Sequence, residues 1–310
     1  MAVNLKGKDL LTLHDWSSEE IWQVLKTAEH LKRLRHMGQR FEPLSGKTLA
    51  MIFAKPSTRT RVSFEAGVTQ LGGHALYLST NDLQLGRGET IADTGRVLSR
   101  FVDAIMIRTF KHSHVEELAE AATVPVINGL TDDYHPCQVL ADLLTIYEKK
   151  GRIEGLKLAY VGDGNNMTHS LMLGGAKLGM SVVCASPAGL SPNPAIVEKA
   201  RAAAAATGAE ISVVNSAAAA VAGADIVYTD VFVSMGQDAD RERKLQALAG
   251  YRITTALMAQ AKPDALFMHC LPAHRGEEVE AAVIDGPQSV VFDEAENRLH
   301  AQNGLMVLVM

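Results

Sequence analysis

"TLAMIFAKPSTRTRVSFE", residues 48–65, decides the fold. It opens on a nearly unbroken apolar run, the pattern of a short strand covered on both faces. Residues 55–65 then hold three cations (Lys55, Arg59, Arg61) and four hydroxyl side chains (Ser57, Thr58, Thr60, Ser63). Phe64, Val68 and Leu71 recur at i, i+4 and i+7, which predicts a helix from Thr58 towards Gly72 with Ser57, Thr58, Arg59 and Thr60 in its first turn. The helix macrodipole disfavours arginine at that end. Free backbone N–H groups ringed by hydroxyls and guanidinium forks suit a phosphate or carboxylate, and this reading outweighs plain helix capping.

Strand, polar turn and helix repeat along the chain. "HALYLS", "DAIMIR" and "VPVIN" are further β-rich runs in the first half; "KLAYVGD", "SVVCAS", "ISVVN", "ADIVYTD", "DALFMH" and "SVVFDE" are those of the second. Helical patterns separate them, and such alternation builds parallel sheets covered on both faces. The predicted fold class is therefore α/β, and 310 residues suffice for two domains of similar size. The halves join near "HPCQVLADLLTIYEKKGRIEGLK", where Pro136 takes a first helical position after His135. "EAENRLHAQNGLMVLVM" reads as a closing helix, with Arg298 at its start.

Composition narrows the function. A formal net charge of −5 gives no dominant basic face, which argues against nucleic acid and makes the cationic cluster a local feature with a small target. Three scattered cysteines make no disulfide framework, no signal-peptide pattern opens the sequence, and no apolar run approaches the ~20 residues of a membrane span. A reducing, cytoplasmic compartment is expected. In open parallel sheets ligands bind beyond the carboxyl ends of strands, and here those ends are polar. Lys55 and the hydroxyl–arginine cluster, Arg108, "HPCQ", "GDGNNMTHS", "DVFVSMG" and "HCLPAHRG" each follow a run. Each has an ordinary explanation as a turn or cap; six together do not.

These motifs resemble those of the carbamoyltransferases. "STRTR" at 57–61 and "HPCQ" at 135–138 look like the family's carbamoyl-phosphate motifs; "DVFVSMG" at 230–236 and "HCLP" at 269–272 look like those of its ornithine-using members. "GDGNN" at 162–166 and "EAENR" at 294–298 fall in the same order, so the likeness spans the chain. One departure is Phe232, where the family usually has Trp; an aromatic is retained.

The resemblance implies two parallel α/β domains with the active site in the cleft between them. Residues 1–147, rejoined by a C-terminal helix at about 295–310, would bind carbamoyl phosphate, and residues 148–294 would bind L-ornithine. It implies transfer of a carbamoyl group to the δ-amine of ornithine, with no cofactor and no metal. Ser57, Thr58, Arg59 and Thr60 would cradle the phosphate, with Arg108 bridging to the carbonyl. His135 and Gln138 would orient the carbamoyl group, with Pro136 and Cys137 in the same turn. Gln84 matches a loop position that reaches carbamoyl phosphate, Arg87 is a second candidate there, and Arg298 would return to this site and tie the domains. Asp230 and Asn166 would take the amino-acid end of ornithine, helped by Ser234 and Met235. Cys270 would stand beside the δ-nitrogen, with Leu271 near the carbamoyl group. A homotrimer, or a multiple of it, is expected, the Gln84 loop serving a neighbour.

Competing readings fare worse. "GDGNNM" lacks the third glycine of a dinucleotide loop, and "SVVCAS" ends without the acidic residue that would hold a ribose. His135, Cys137, His269 and Cys270 lack the spacing of common structural zinc sites. An inactive binding relative is disfavoured because both sets of site residues are intact. Aspartate-using relatives lack "SMG" and have Pro where Cys270 stands; a putrescine carbamoyltransferase is the nearest alternative.

Overall fold

The computed structural model describes residues 3–84 and 88–310. The chain divides into two compact units, residues 1–144 with 296–310, and residues 145–295. Both divisions fall inside helices, Pro136–Lys150 and Val291–Val309.

Unit 1 carries a four-stranded sheet in the order β2-β1-β3-β4. Its strands are β1 (Thr48–Phe53), β2 (His74–Ser79), β3 (Ala104–Arg108) and β4 (Val126–Leu130), and every pairing is parallel. β1 and β3 are central and buried almost throughout, which is why they read as continuous apolar runs. Ala50, Ile52, Ile105, Ile107, Val115 and Leu118 form the core on one face. Unit 2 carries five strands in the order β7-β6-β5-β8-β9: β5 (Lys157–Val161), β6 (Ser181–Ala185), β7 (Ile211–Val214), β8 (Ile226–Tyr228) and β9 (Leu266–Met268), again all parallel. Val161, Val221, Val227, Ile253, Phe267 and Val283 belong to its core. The α/β class with two parallel sheets is thus observed.

The strand order reverses between β1 and β3 in unit 1, and between β5 and β8 in unit 2. In doubly wound sheets a crevice opens at each such reversal, outside the carboxyl ends of the two strands. Ser57–Thr60 follow β1 and Arg108 ends β3, while the 162–166 turn follows β5 and Asp230 follows β8. Each predicted cluster therefore stands at a switch point.

Two expectations about the C-terminal segment need correction. "SVVFDE" is not a strand: Ser289 makes a single parallel bridge to Phe267, and a helix begins at Val291. Asp293 and Glu294 fall in its first turn, where the macrodipole favours carboxylates. Arg298 consequently lies beyond the second turn of this helix rather than at its start.

Candidate active site

In unit 1 the helix Thr58–Gln70 begins as the sequence predicts, with Ser57 as N-cap and its Oγ accepting from Thr60 N at 3.2 Å. No acidic residue occupies the first turn. Arg59 is half-buried there, whereas Arg61 turns back to Glu65 at 3.3 Å and lies 3.8 Å from the Tyr77 ring. The guanidinium of Arg61 is thus committed to the surface of its own unit. Lys55 is buried, paired with Asp132 and 4.3 Å above the Phe110 ring, so its ammonium is engaged within the unit. Arg108 is buried at the end of β3, where the register with β4 shifts between Ile107 and Arg108. A shift of this kind re-aims the side chain that follows it.

His135 and Gln138 are buried at the start of Pro136–Lys150. Burial, reinforced by the positive charges of Arg298, Arg108 and Arg59, holds His135 well below the usual histidine range. Its imidazole is neutral, and a neutral ring can donate one N–H to a carbonyl without adding charge. Arg298 is the hub of the network behind these groups. It donates from Nη1 to Gln138 Oε1 at 2.8 Å, from Nη2 to Thr60 Oγ1 at 3.2 Å, and from Nε to Gln302 Oε1 at 3.1 Å. Gln138 Nε2 donates in turn to Asp142 Oδ1 at 2.9 Å, which fixes the orientation of its amide. Cys137 points into the core, donating to the Asn128 carbonyl at 3.3 Å, and burial pushes its thiol up to about 12. Its side chain is a core group, leaving the backbone of Pro136 and Cys137 to line the turn. Gln84 is exposed, and Arg87 lies outside the described residues.

In unit 2, Asp230 is buried and receives three hydrogen bonds. Cys270 Sγ donates to its Oδ1 at 3.0 Å, Val231 N to the same oxygen at 2.8 Å, and Asn165 Nδ2 to Oδ2 at 2.7 Å. These donors hold the carboxylate in one orientation. Asn165, not predicted, is the N-cap of the helix Asn166–Lys177, its Oδ1 accepting from Met167 N and Thr168 N. The doubled Asn of "GDGNN" was the signal for it, because an Asx cap precedes the first helical residue. Asn166 takes that first helical position, half-buried.

Ser234 and Met235 lie in a turn closed by Gln237 N donating to the Ser234 carbonyl at 3.1 Å; Met235 is exposed. Two anchors hold that loop. Phe232 is buried against Leu190 and Leu248, so this aromatic packs the loop onto the unit. Lys244, buried and ion-paired with Asp163, donates to Gln237 Oε1 at 2.6 Å. Lys244 carries no sequence signal of this kind, whereas Asp163 is the acid of "GDGNN".

Cys270 and Leu271 follow β9. His269 is buried; its Nδ1 accepts from Leu271 N at 2.9 Å, which puts the ring proton on Nε2, 3.2 Å from Glu278 Oε1. Leu271 has φ +57°, a left-handed conformation unusual for a branched side chain, held by that hydrogen bond. Asp230, His269 and Cys270 have donor atoms within 4.8 Å of one another, yet both His269 nitrogens are engaged by the protein. This arrangement presents a thiol and a carboxylate to a ligand rather than a metal-ready triad.

Two doubly wound units, one with a cationic, hydroxyl-rich cluster at its switch point and the other with a carboxylate–thiol pair at its own, define a two-domain α/β protein with a candidate site in each unit. The chain belongs to the aspartate/ornithine carbamoyltransferase family: residues 8–148 match its carbamoyl-P binding domain and residues 154–309 its Asp/Orn binding domain. An ornithine carbamoyltransferase of Symbiobacterium thermophilum is 64% identical over 99% of this chain and 99% of its own length. An anabolic ornithine carbamoyltransferase of Pyrococcus furiosus is 57% identical, covering 100% of this chain and 98% of its own. A solved ornithine carbamoyltransferase from Pyrococcus furiosus superposes with a TM-score of 0.97 at 57% identity, covering 100% of this chain and 99% of that one.

Proposed function

We propose that this chain transfers the carbamoyl group of carbamoyl phosphate to the δ-amine of L-ornithine, giving L-citrulline and phosphate. The observation that carries the reading is that both ligand sets occur in one chain whose full length matches proteins named for that reaction. Unit 1 would hold the donor: the first turn at Ser57–Thr60 and Arg59 take the phosphate, and Arg108 spans phosphate and carbonyl. The neutral His135 donates to the carbonyl oxygen, Gln138 orients the carbamoyl amide, and the backbone of Pro136 and Cys137 completes that turn.

Unit 2 would hold the acceptor. Asp230 takes the α-ammonium with Asn166, while Ser234 and the Met235 backbone take the carboxylate. Cys270 and the Leu271 backbone face the δ-nitrogen and the carbamoyl group. The deprotonated δ-nitrogen attacks the carbonyl carbon, charge builds on the carbonyl oxygen, and the C–O bond to phosphate breaks. The amine's proton leaves with the phosphate, which is itself a base. Donors preorganised for the developing oxyanion supply the main acceleration.

A homotrimer in the cytoplasm, with the Gln84 loop reaching a neighbour's site, accompanies this reading. Among the described residues no helix is long and apolar enough to cross a membrane. Steady-state assays with carbamoyl phosphate and either ornithine, putrescine or aspartate test the proposal, with ornithine expected to give the highest kcat/KM. A preference for putrescine would overturn it, and sedimentation showing a fully active monomer would remove the trimer.

A further inference from the structure

The first and last helices of unit 1 bring together three side chains that the transfer reaction does not use. His36 closes the helix Ser18–His36, while Glu296 and His300 stand one turn apart on Val291–Val309. His300 Nε2 lies 3.1 Å from Glu296 Oε1, and His36 Nε2 lies 3.7 Å from the same oxygen. Donor atoms of all three fall within 4.8 Å of one another.

Two imidazole nitrogens and one carboxylate oxygen are a donor set for a borderline divalent metal, with bonds of about 2.0–2.2 Å that leave tetrahedral ligands roughly 3.3–3.5 Å apart. The observed separations bracket that spacing. Exposure is graded: the His300 side chain is 3% exposed, Glu296 48% and His36 60%. One ligand is therefore rigid, two can adjust, and the solvent side leaves a position for water. Lys32 and Arg35 are the nearby cations. Those two cations oppose a metal, but Lys32 donates to Asn297 Oδ1 at 2.8 Å and Arg35 to Gln70.

We propose that His36, Glu296 and His300 form a binding site for a divalent transition-metal ion of the zinc class, which pins the first helix of unit 1 to the last. The site joins residues far apart in sequence, so occupancy stabilises the native state over the unfolded chain.

The test is calorimetric titration of zinc into chelator-stripped full-length protein, alongside His36→Ala and Glu296→Gln. Disturbing even an outer partner of a metal typically costs about 10- to 100-fold in affinity. Each substitution is therefore expected to weaken one equivalent of zinc by at least ~10-fold. Zinc should raise the unfolding temperature of the wild type and not of the variants, while carbamoyl transfer without added metal stays unchanged in both. Cobalt(II) distinguishes this site from one at Cys270, since nitrogen and oxygen ligands give no thiolate-to-metal charge-transfer band. Absence of zinc binding, equal binding by the wild type and both variants, or a cobalt complex showing only thiolate charge transfer would overturn the proposal.

Discussion

Asp230 is oriented by the protein around it. Its carboxylate receives Cys270, Val231 and Asn165, which holds it in one orientation, so on the proposed reading less entropy is lost when the α-ammonium of ornithine arrives. If the pair with the α-ammonium is worth about 2–3 kcal/mol, Asp230→Asn lowers kcat/KM for ornithine by roughly 30- to 150-fold. Putrescine lacks that ammonium with its carboxylate neighbour, so any activity with it should change much less; an equal loss for both substrates would refute the clamp. The proposed reading puts Arg59 and Arg108 on the other substrate. Losing a donor to developing charge typically costs about 10²–10³-fold in kcat, and Arg59→Ala and Arg108→Ala are each expected to reach ~10²-fold with the fold retained. Near wild-type kcat at saturating carbamoyl phosphate in either variant would remove that residue from the cradle.

At the scale of elements, the closing helix controls how the parts of unit 1 approach one another. Gly67, on the cradle helix, faces the Asn303 side chain so closely that a Cβ would land on its Oδ1. Gly304 faces backbone: a Cβ there would lie 2.7 Å from the Val24 carbonyl and 2.8 Å from Ala28 N. A side chain can turn aside and a helix backbone cannot. Gly67→Ala should cost about 1–3 kcal/mol, the usual range for overpacking, and recover part of it when Asn303→Ala is added. Gly304→Ala should cost more and find no rescue in a single side-chain truncation. Denaturant unfolding of the three variants checks the order, and a Gly304→Ala protein as stable as the wild type would contradict the backbone contact.

For the whole molecule, His135 and His300 contribute to the response to acid. His135 and His300 both have lowered pKa values, each chiefly through burial. Unfolded histidine titrates near about 6.5, so between there and the lowered native values the unfolded chain binds more protons. The stability tied to the neutral rings is complete above that pH and is lost as pH falls, by up to about 1.4 kcal/mol per pH unit for each histidine. Asp9 and Asp163, raised mainly by burial, act with the opposite sign at lower pH, in the carboxylate range. In metal-free buffer the unfolding temperature should therefore drop between pH 7.5 and 5.5. A flat or rising midpoint across that window would show that neither ring resists protonation.

Local chemistry made much of this protein legible in its sequence. A buried parallel strand must be apolar, and a helix start must cap its N–H groups, so β1, the Ser57 cap and the polar strand ends were all visible within short windows. "SVVFDE" failed because one apolar run serves equally as a strand or as the entry to a buried helix, and its single bridge to Phe267 depends on a distant segment. Tertiary structure alone decided the partners. Arg298 reaches Thr60 across 238 residues of sequence, Lys244 reaches Asp163 across 81, and Asn165 reaches Asp230 across 65. Motif spacing records which groups a strand end presents, whereas the hydrogen bonds that orient them are selected by packing between segments whose separation in the chain carries no periodic signal.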